Sequence, residues 1–145
     1  MRVYHIPLQL INLADDGFHL LVEIFVFNQY KLAVLDTGAS RTVFDKTLLE
    51  GHQDEVALHQ DEHAEETQAT TLFSTSSTVL VTFPKLQIGE LKLKNYTAVG
   101  LDLQSVNATY AQMGHPEIAC ILGGDILQQY HAVINYKKLS LKLYR

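Results

Sequence analysis

The tripeptide Asp36-Thr37-Gly38 is the part of this sequence whose residue types and spacing could do chemistry. It follows Leu32-Ala33-Val34-Leu35, an apolar run with the length and composition of a buried strand. A carboxylate at the end of such a strand lies at the edge of a core, where it needs hydrogen-bond donors. The Thr37 hydroxyl and the backbone N–H groups around Gly38 are the nearest donors, and glycine permits their close approach. The pattern predicts a positioned carboxylate, although these residues also occur together in ordinary turns.

Stretches with the two-residue periodicity of β-strands surround this motif. Alternate apolar residues from Phe18 to Val26 share one face, after a turn at residues 15–17. Residues 28–31 then turn the chain into the strand that ends at Asp36, so we expect a hairpin meander that delivers the carboxylate. The next stretch, residues 41–50, fits a short helical turn or a loop over the core.

The second half of the chain repeats this strand character. A hairpin is predicted over residues 71–81 with a polar tip at residues 74–77, where it would be either a lid or a plain surface hairpin. A second meander turns at Gly89-Glu90 and continues to Leu103, and residues 132–143 form another hairpin.

Another buried strand, Ile118–Leu122, is followed by Gly123 and Gly124. Asp125 comes next and is predicted to cap a short helix over residues 126–130 by accepting hydrogen bonds from its free N–H groups. We therefore interpret Asp125 as a structural residue.

An acidic segment extends from Glu50 to Glu66, with seven acidic residues, three histidines and no lysine or arginine. Such a segment is typical of a solvated helix or a mobile loop. His59 and His63 would share one face of a helix, so a metal site is an alternative, but no third ligand stands at a diagnostic spacing. We expect no metal ion and no other cofactor.

Length and composition exclude several classes of protein. The 145 residues are enough for one domain, residues 1–145, and 47% of them are hydrophobic. The net charge of -5 disfavours nucleic acid as a partner. Cys120 is the only cysteine, so it is interpreted as a small buried hydrophobe. The absence of a signal-peptide core and of a membrane-spanning run predicts a cytoplasmic protein without a membrane partner, unless a leader was removed.

Two motifs and their order resemble the retropepsin-like aspartic proteases, of the bacterial and cellular single-domain type. They are Asp36-Thr37-Gly38-Ala39 after an apolar strand and Ile121-Leu122-Gly123-Gly124-Asp125 before a short helix. The similarity extends over about residues 18–143. It implies an all-β fold, a closed retropepsin-like β-barrel with one short helix near the C-terminus. In that fold the two glycine-ended strands lie side by side, so Leu122, Gly123 and Gly124 would be structural.

The resemblance also implies an aspartic endopeptidase with Asp36 as its catalytic residue. Two neighbouring carboxylates share one proton, so one activates a water molecule while the other donates a proton to the peptide carbonyl oxygen. Because the sequence has one Asp-Thr-Gly, the second carboxylate would come from a second copy of the chain. The expected partners are therefore that copy, in a homodimer, and a peptide or protein substrate.

The neighbours of Asp36 take supporting roles in this resemblance. Thr37 would hydrogen-bond across the two-fold axis, and the Gly38 backbone would support the carboxylates. Ala39 matches the retroviral pattern and lacks a hydroxyl donor, from which we expect a working pH nearer neutral. The flap over the substrate cleft is assigned to a stretch without the glycines usual in the family: Leu72, Phe73, Ser74, Thr75 and Ser76.

Two other functions stay open at this point. The glycine-free flap also fits a catalytically inactive module that keeps the fold and binds peptides or dimerises. An unrelated all-β binding domain, in which Asp-Thr-Gly is an ordinary turn, would place Asp36 away from Gly123.

Overall fold

The computed structural model describes residues 1–59 and 78–145 of the chain. In this part the strands are β1 (Val3–Asn12), β2 (Phe18–Val26), β3 (Gln29–Leu35), β4 (Val43–Asp45), β5 (Ala57–His59), β6 (Val79–Ile88), β7 (Leu91–Leu101), β8 (Cys120–Leu122), β9 (Val133–Asn135) and β10 (Ser140–Tyr144). The helices are α1 (Lys46–Glu50), α2 (Gln104–Gln112) and α3 (Gly124–Gln129), and short 3₁₀ turns form at Ala14–Asp16 and Gln53–Glu55. Within these ranges, no helix has the length and apolar character needed to cross a membrane.

Six of the strands close into a barrel in the order β2, β3, β8, β4, β7 and β6, and β6 then pairs with β2. The closing contact is short, because Ile24 pairs with Ile88 and Phe25 with Gln87 before the two strands separate. β1, β10 and β9 continue the sheet from β2, and β5 pairs with the first half of β6. The closed all-β barrel implied by the resemblance is confirmed.

Two parallel pairings give the barrel its connectivity. β3 runs parallel to β8, and β4 runs parallel to β7. β8 also pairs antiparallel with β4, so it lies between the strand before Asp36 and the strand after the Asp36 loop. A tight turn cannot join parallel neighbours, so these pairings bring together segments that are far apart in the sequence.

The alternation predicted for β2 is found in the structure. Its buried residues include Leu20, Val22, Ile24 and Val26. Phe18, at the start of the strand, is 58% exposed and does not follow the pattern. The turn after β2 comes earlier than expected, because Phe27 and Asn28 adopt positive φ angles and β3 begins at Gln29.

The interior of the barrel is a tightly packed apolar cluster. Phe44 and Phe83 are fully buried in it, with ring centroids 4.3 Å apart. Cys120 lies in the same cluster, which confirms its interpretation as a buried hydrophobe. Burial, and to a lesser extent the nearby Asp125, raises the pKa of the Cys120 thiol, so the thiol stays protonated.

The predicted meander with its turn at Gly89-Glu90 is formed by β6 and β7, and the stretch after it forms α2, which was not predicted. Leu103, Val106 and Tyr110 recur at helical spacing and pack on a second apolar cluster. The Asp102 carboxylate accepts a hydrogen bond from the Gln104 N–H at 2.9 Å, which satisfies a free donor at the start of the helix. The apolar residues are too sparse for the sequence pattern to distinguish this helix from a loop.

Other elements complete or correct the sequence predictions. The helix expected near the C-terminus is α3, which begins at Gly124, two residues earlier than predicted. Residues 41–50 contain both a short strand, β4, and the one-turn helix α1. β1 was not predicted, although it pairs with both β2 and β10.

The described part of the acidic segment, predicted to be a solvated helix or a mobile loop, does not form that helix after Glu50. It contains the 3₁₀ turn and β5, where the His59 imidazole lies 3.1 Å from the Thr82 hydroxyl oxygen. His59 is therefore in a strand and not in the helix that the metal-site alternative assumed. His63 and the predicted flap, Leu72 to Ser76, lie outside the described residues.

Replacement of Phe83 by alanine tests the contribution of the barrel core. Phe83 is fully buried against Phe44, so we expect Phe83→Ala to lower the free energy of unfolding by about 3 to 5 kcal/mol. The exposed Phe18 is the control, and Phe18→Ala is expected to change the value by about 0.5 kcal/mol or less. Urea denaturation measures both, and equal losses in the two variants would contradict the assigned core.

Candidate active site

The Asp36 loop begins where β3 and β8 end. Leu35 is paired with Leu122, and the Asp36 N–H donates to the Leu122 carbonyl at 3.0 Å. The backbone of Asp36 is therefore fixed by the strand that ends in Gly123. Its side chain is exposed at the end of the barrel.

A tight turn orients the Asp36 carboxylate. The Gly38 N–H donates to Asp36 Oδ1 at 2.9 Å, and the Ala39 N–H donates to the Asp36 carbonyl at 3.2 Å. A Cβ atom on Gly38 would lie 3.3 Å from Oδ1, tighter than nearly all such contacts. The turn thus supplies the backbone donor expected at Gly38, while Thr37 is exposed and Ala39 is partly buried.

Gly123 and Gly124 allow the other side of this loop to pack closely on α3. The Gly124 N–H donates to the Ala39 carbonyl at 2.7 Å. A Cβ atom on Gly123 would lie 2.7 Å from the Arg41 carbonyl carbon and oxygen. Since these are backbone atoms in a packed loop, only glycine fits at position 123 without displacing the loop.

A hydrogen-bond network centred on Asp125 lies behind the loop. Asp125 Oδ1 accepts from the Thr42 N–H at 2.9 Å and from the Thr42 hydroxyl at 2.7 Å, and Oδ2 accepts from the Tyr96 hydroxyl. The Thr42 hydroxyl oxygen in turn accepts from the Gly123 N–H at 3.0 Å. Burial, and then the bond to Asp125 and its charge, raise the pKa of Tyr96, so this hydroxyl keeps the proton that it donates.

The structural role predicted for Asp125 holds, and so does its hydrogen bond to a free N–H of α3, but Asp125 is not the N-cap residue. Gly123 is the N-cap of α3, and Asp125 lies inside the first turn, where its own carboxylate accepts from the Ile126 N–H at 2.9 Å. The same carboxylate also accepts from Thr42 and Tyr96. These two partners were not predicted, because Thr42 and Tyr96 are far from Asp125 in the sequence and no local pattern links them to it.

His19 and Tyr110 form a pair close to Asp36. The last pair between β2 and β3 is Leu21 with Val34, so His19 and Asp36 each lie two residues beyond it. His19 Nδ1 is 2.6 Å from the Tyr110 hydroxyl oxygen. Burial, and then the negative charge of Asp36, raise the pKa of Tyr110 to about 12, so this hydroxyl is neutral at ordinary pH.

Two concave surfaces flank the Asp36 loop. One encloses about 310 Å³ and is lined by side chains that include Leu13, Asp16, His19, Val106, Tyr110 and Met113. The other encloses about 450 Å³ and is lined by residues that include Thr37, Gly124, Leu127, Ala132 and Ile134. The carboxylate therefore stands between a cleft formed by α2 and a partly apolar surface formed by α3.

Comparisons with known proteins identify the family and the fold of the chain. The family described as aspartyl protease matches residues 22–126, well over half of the chain. The crystal structure of a retropepsin-like aspartic protease from Rickettsia conorii is similar at 21% identity, covering 99% of this chain and 91% of that chain with a TM-score of 0.54. The crystal structure of the retroviral protease-like domain of Ddi1 from Leishmania major is similar at 13% identity, covering 86% and 87% of the two chains with a TM-score of 0.55. No curated protein matches the sequence significantly.

The alternative of an unrelated all-β binding domain is excluded by these findings. That alternative required Asp36 to lie away from Gly123. The Asp36 N–H instead bonds to Leu122, the residue before Gly123, and the barrel matches the retropepsin-like fold.

Replacement of Gly123 by alanine tests whether close backbone packing holds the Asp36 loop. The added Cβ would displace Arg41 backbone atoms, so we expect Gly123→Ala to destabilise the protein by about 1 to 3 kcal/mol. Gly51 is the matched control, because it has φ -76° and its Cβ would make an ordinary contact of 3.5 Å. Gly51→Ala is expected to be neutral or slightly stabilising in urea denaturation. A neutral Gly123→Ala would refute the packing argument.

The raised pKa of Tyr110 predicts a loss of stability at high pH. Tyr110 loses its proton near pH 10 in the unfolded chain and near pH 12 in the folded chain. Its contribution to the free energy of unfolding is therefore fully present below pH 10 and is lost as the pH rises to 12. We expect Tyr110→Phe to reduce the fall in unfolding free energy between pH 10 and 12, measured by urea denaturation. Tyr136 is 65% exposed, so Tyr136→Phe should show the same fall in unfolding free energy between pH 10 and 12 as wild type. Identical slopes for wild type and Tyr110→Phe would contradict the assignment.

Proposed function

Since the chain belongs to the aspartyl protease family and has a retropepsin-like fold, we propose that it is an endopeptidase whose catalytic dyad combines the Asp36 of two subunits. The observation that carries the proposal is the Asp36 turn. Its carboxylate is exposed, is held by the Gly38 N–H at 2.9 Å, and occurs in the one Asp-Thr-Gly of the sequence. A single such carboxylate is half of the acid and base pair that the chemistry requires.

A second copy of the chain is the natural source of the other half. A two-fold axis beside Asp36 would bring the two carboxylates together and place the same surface of each subunit against the other. Thr37 is exposed at this end of the barrel, where it could hydrogen-bond to the partner. The adjoining surface around Leu127 and Ile134 is concave and partly apolar, which suits burial in a symmetric contact.

The proposed reaction needs no covalent intermediate. One carboxylate of the dyad removes a proton from a water molecule, whose oxygen bonds to the peptide carbonyl carbon. The other carboxylic acid donates its proton to the carbonyl oxygen, giving a neutral tetrahedral intermediate. The intermediate then collapses: one of its hydroxyl groups returns a proton to the dyad carboxylate, the C–N bond breaks, and the dyad carboxylic acid gives its proton to the leaving amine. The dyad therefore again holds one shared proton.

The surrounding residues would keep this chemistry in place. Gly38 donates to one carboxylate oxygen, which leaves the other free to face the partner or the water molecule. Tyr110, kept neutral by burial and by the charge of Asp36, adds a polar but uncharged group to the cleft wall. In this proposal, the cleft beneath α2 would receive a side chain of the substrate, because it lies beside the Asp36 loop.

Substitution of the catalytic candidate tests the activity directly. Wild-type protein is incubated with a diverse peptide library from mildly acidic to neutral pH, and cleavage is followed by mass spectrometry. Asp36→Asn should reduce cleavage by at least about 1,000-fold, because the variant dyad lacks a carboxylate base. Asp54→Asn, at an exposed acidic residue of the 3₁₀ turn, should cleave like wild type. Cleavage that survives Asp36→Asn would refute the role of Asp36.

Mixing experiments test whether the dyad forms across a dimer. After subunit exchange, a tenfold excess of Asp36→Asn should lower the activity of a fixed amount of wild type about tenfold, since most wild-type subunits then have a variant partner. The mass of the protein in solution should correspond to two chains. Unchanged activity after mixing, together with a monomer that cleaves peptides, would refute the shared site. A folded dimer that cleaves no peptide would favour the inactive binding module.

A further inference from the structure

Lysines and aromatic residues share one outer surface of the barrel, at the opposite end of β3 from Asp36. The cross-strand register places Tyr30 beside Phe25, Phe25 beside Gln87, and Gln87 beside Lys92. Lys85 and Lys94 form the adjoining row. We call this surface, defined by Phe25, Tyr30, Lys85, Lys92 and Lys94, the lysine face. Six residues separate Tyr30 from Asp36, so the lysine face lies about 20 Å from the candidate active site.

The positive charge of the lysine face is not neutralised by the described part of the chain. Lys85 and Lys94 are directly opposite each other, an arrangement that is unfavourable unless an anion lies between them. Residues 1–59 and 78–145 contain two ion pairs, Arg2 with Glu90 and His52 with Glu55, and neither involves these lysines. Glu23 is on the same side of β2 as Phe25. It lies two residues from Phe25, in the direction away from the row formed by Lys85 and Lys94.

A groove opens on the lysine face where the barrel closes. The pairing of β2 with β6 ends at Phe25 and Gln87, and the chain then turns away through Phe27 and Asn28, whose φ angles are 54° and 61°. The Phe27 ring is stacked on His52 with centroids 4.2 Å apart, which holds the turn aside. The resulting groove encloses about 540 Å³, within the range of sites that bind small ligands and peptide segments.

We propose that this groove binds an extended acidic segment of a partner protein. Its carboxylates would pair with Lys85, Lys92 and Lys94, and an apolar side chain between them would pack on Phe25 in the groove. Tyr30 is 71% exposed and its ring lies 4.9 Å from Phe25, so it extends the apolar surface. This site is separate from the proposed protease activity and does not depend on it.

The observations favour an acidic peptide over a nucleic acid. The positive charge here comes from three lysines in one groove, whereas a protein that binds nucleic acid typically contacts many phosphates along an extended surface. The groove also combines apolar side chains with the lysines, which suits a peptide with mixed acidic and apolar residues.

Fluorescence anisotropy with defined probes tests this proposal. The probe is a fluorescein-labelled octapeptide of Asp and Glu with one central Phe, and Asp36→Asn protein is used so that cleavage cannot remove it. We expect saturable binding that weakens with added salt, and no binding of the matching Lys octapeptide. Lys85→Glu combined with Lys94→Glu should weaken binding at least about tenfold, because attraction becomes repulsion.

Lys137→Glu combined with Lys138→Glu is the matched control, since it makes the same change of charge at exposed residues of the turn between β9 and β10. It should leave the affinity unchanged. Lys85→Gln combined with Lys94→Gln, with folding checked by circular dichroism, should give an intermediate loss. No binding of the acidic peptide, equal effects of the two Glu pairs, or tighter binding of a labelled single-stranded octanucleotide would overturn the proposal.

Discussion

The contact on which the rest of the site depends is the close packing of two glycines against the loop that carries Asp36. Gly123 approaches the Arg41 carbonyl so closely that a Cβ would be 2.7 Å from it, and Gly124 donates to the Ala39 carbonyl. This approach lets β8 fit between β3 and β4, and it lets α3 start directly at the end of β8. A bulkier residue would separate the loop from α3, and the carboxylate would lose its fixed position.

Behind the loop, polar groups are paired; at its tip, they are left exposed. Thr42, Tyr96 and Gly123 together satisfy Asp125 and the loop backbone, and no buried side-chain polar atom lacks a partner in residues 1–59 and 78–145. A fully satisfied network of this kind rigidifies its surroundings. Asp36 has a backbone donor from Gly38 and is otherwise open, so the rigid part of the site positions a group that is free to meet another molecule.

The local features of the chain could be predicted from its sequence, whereas contacts between distant residues could not. The alternation along β2 and the turn at Gly38 depend on neighbours in the chain, and the structure contains both. For Asp125, the local bond to α3 could be predicted, whereas its bonds to Thr42 and Tyr96 could not, because these residues are distant in sequence. The helix α2 was missed because Tyr110 and a few other apolar residues interrupt a mostly polar stretch. The lysine face has no local signal either, since alternate lysines in a strand are typical of any exposed surface.

The parallel pairing of Leu35 with Leu122 also governs when the site can form during synthesis. The ribosome adds residues at about 5 to 20 per second, so the Asp-Thr-Gly segment leaves it seconds before β8 and α3 do. Contacts between such distant segments form slowly in folding, because closing the long loop between them costs conformational entropy. During this interval the segment has neither its neighbouring strand nor the glycines that hold the loop. A nascent or truncated chain that lacks α3 therefore carries the motif without the site, and the carboxylate is positioned only after β8 and α3 have been made.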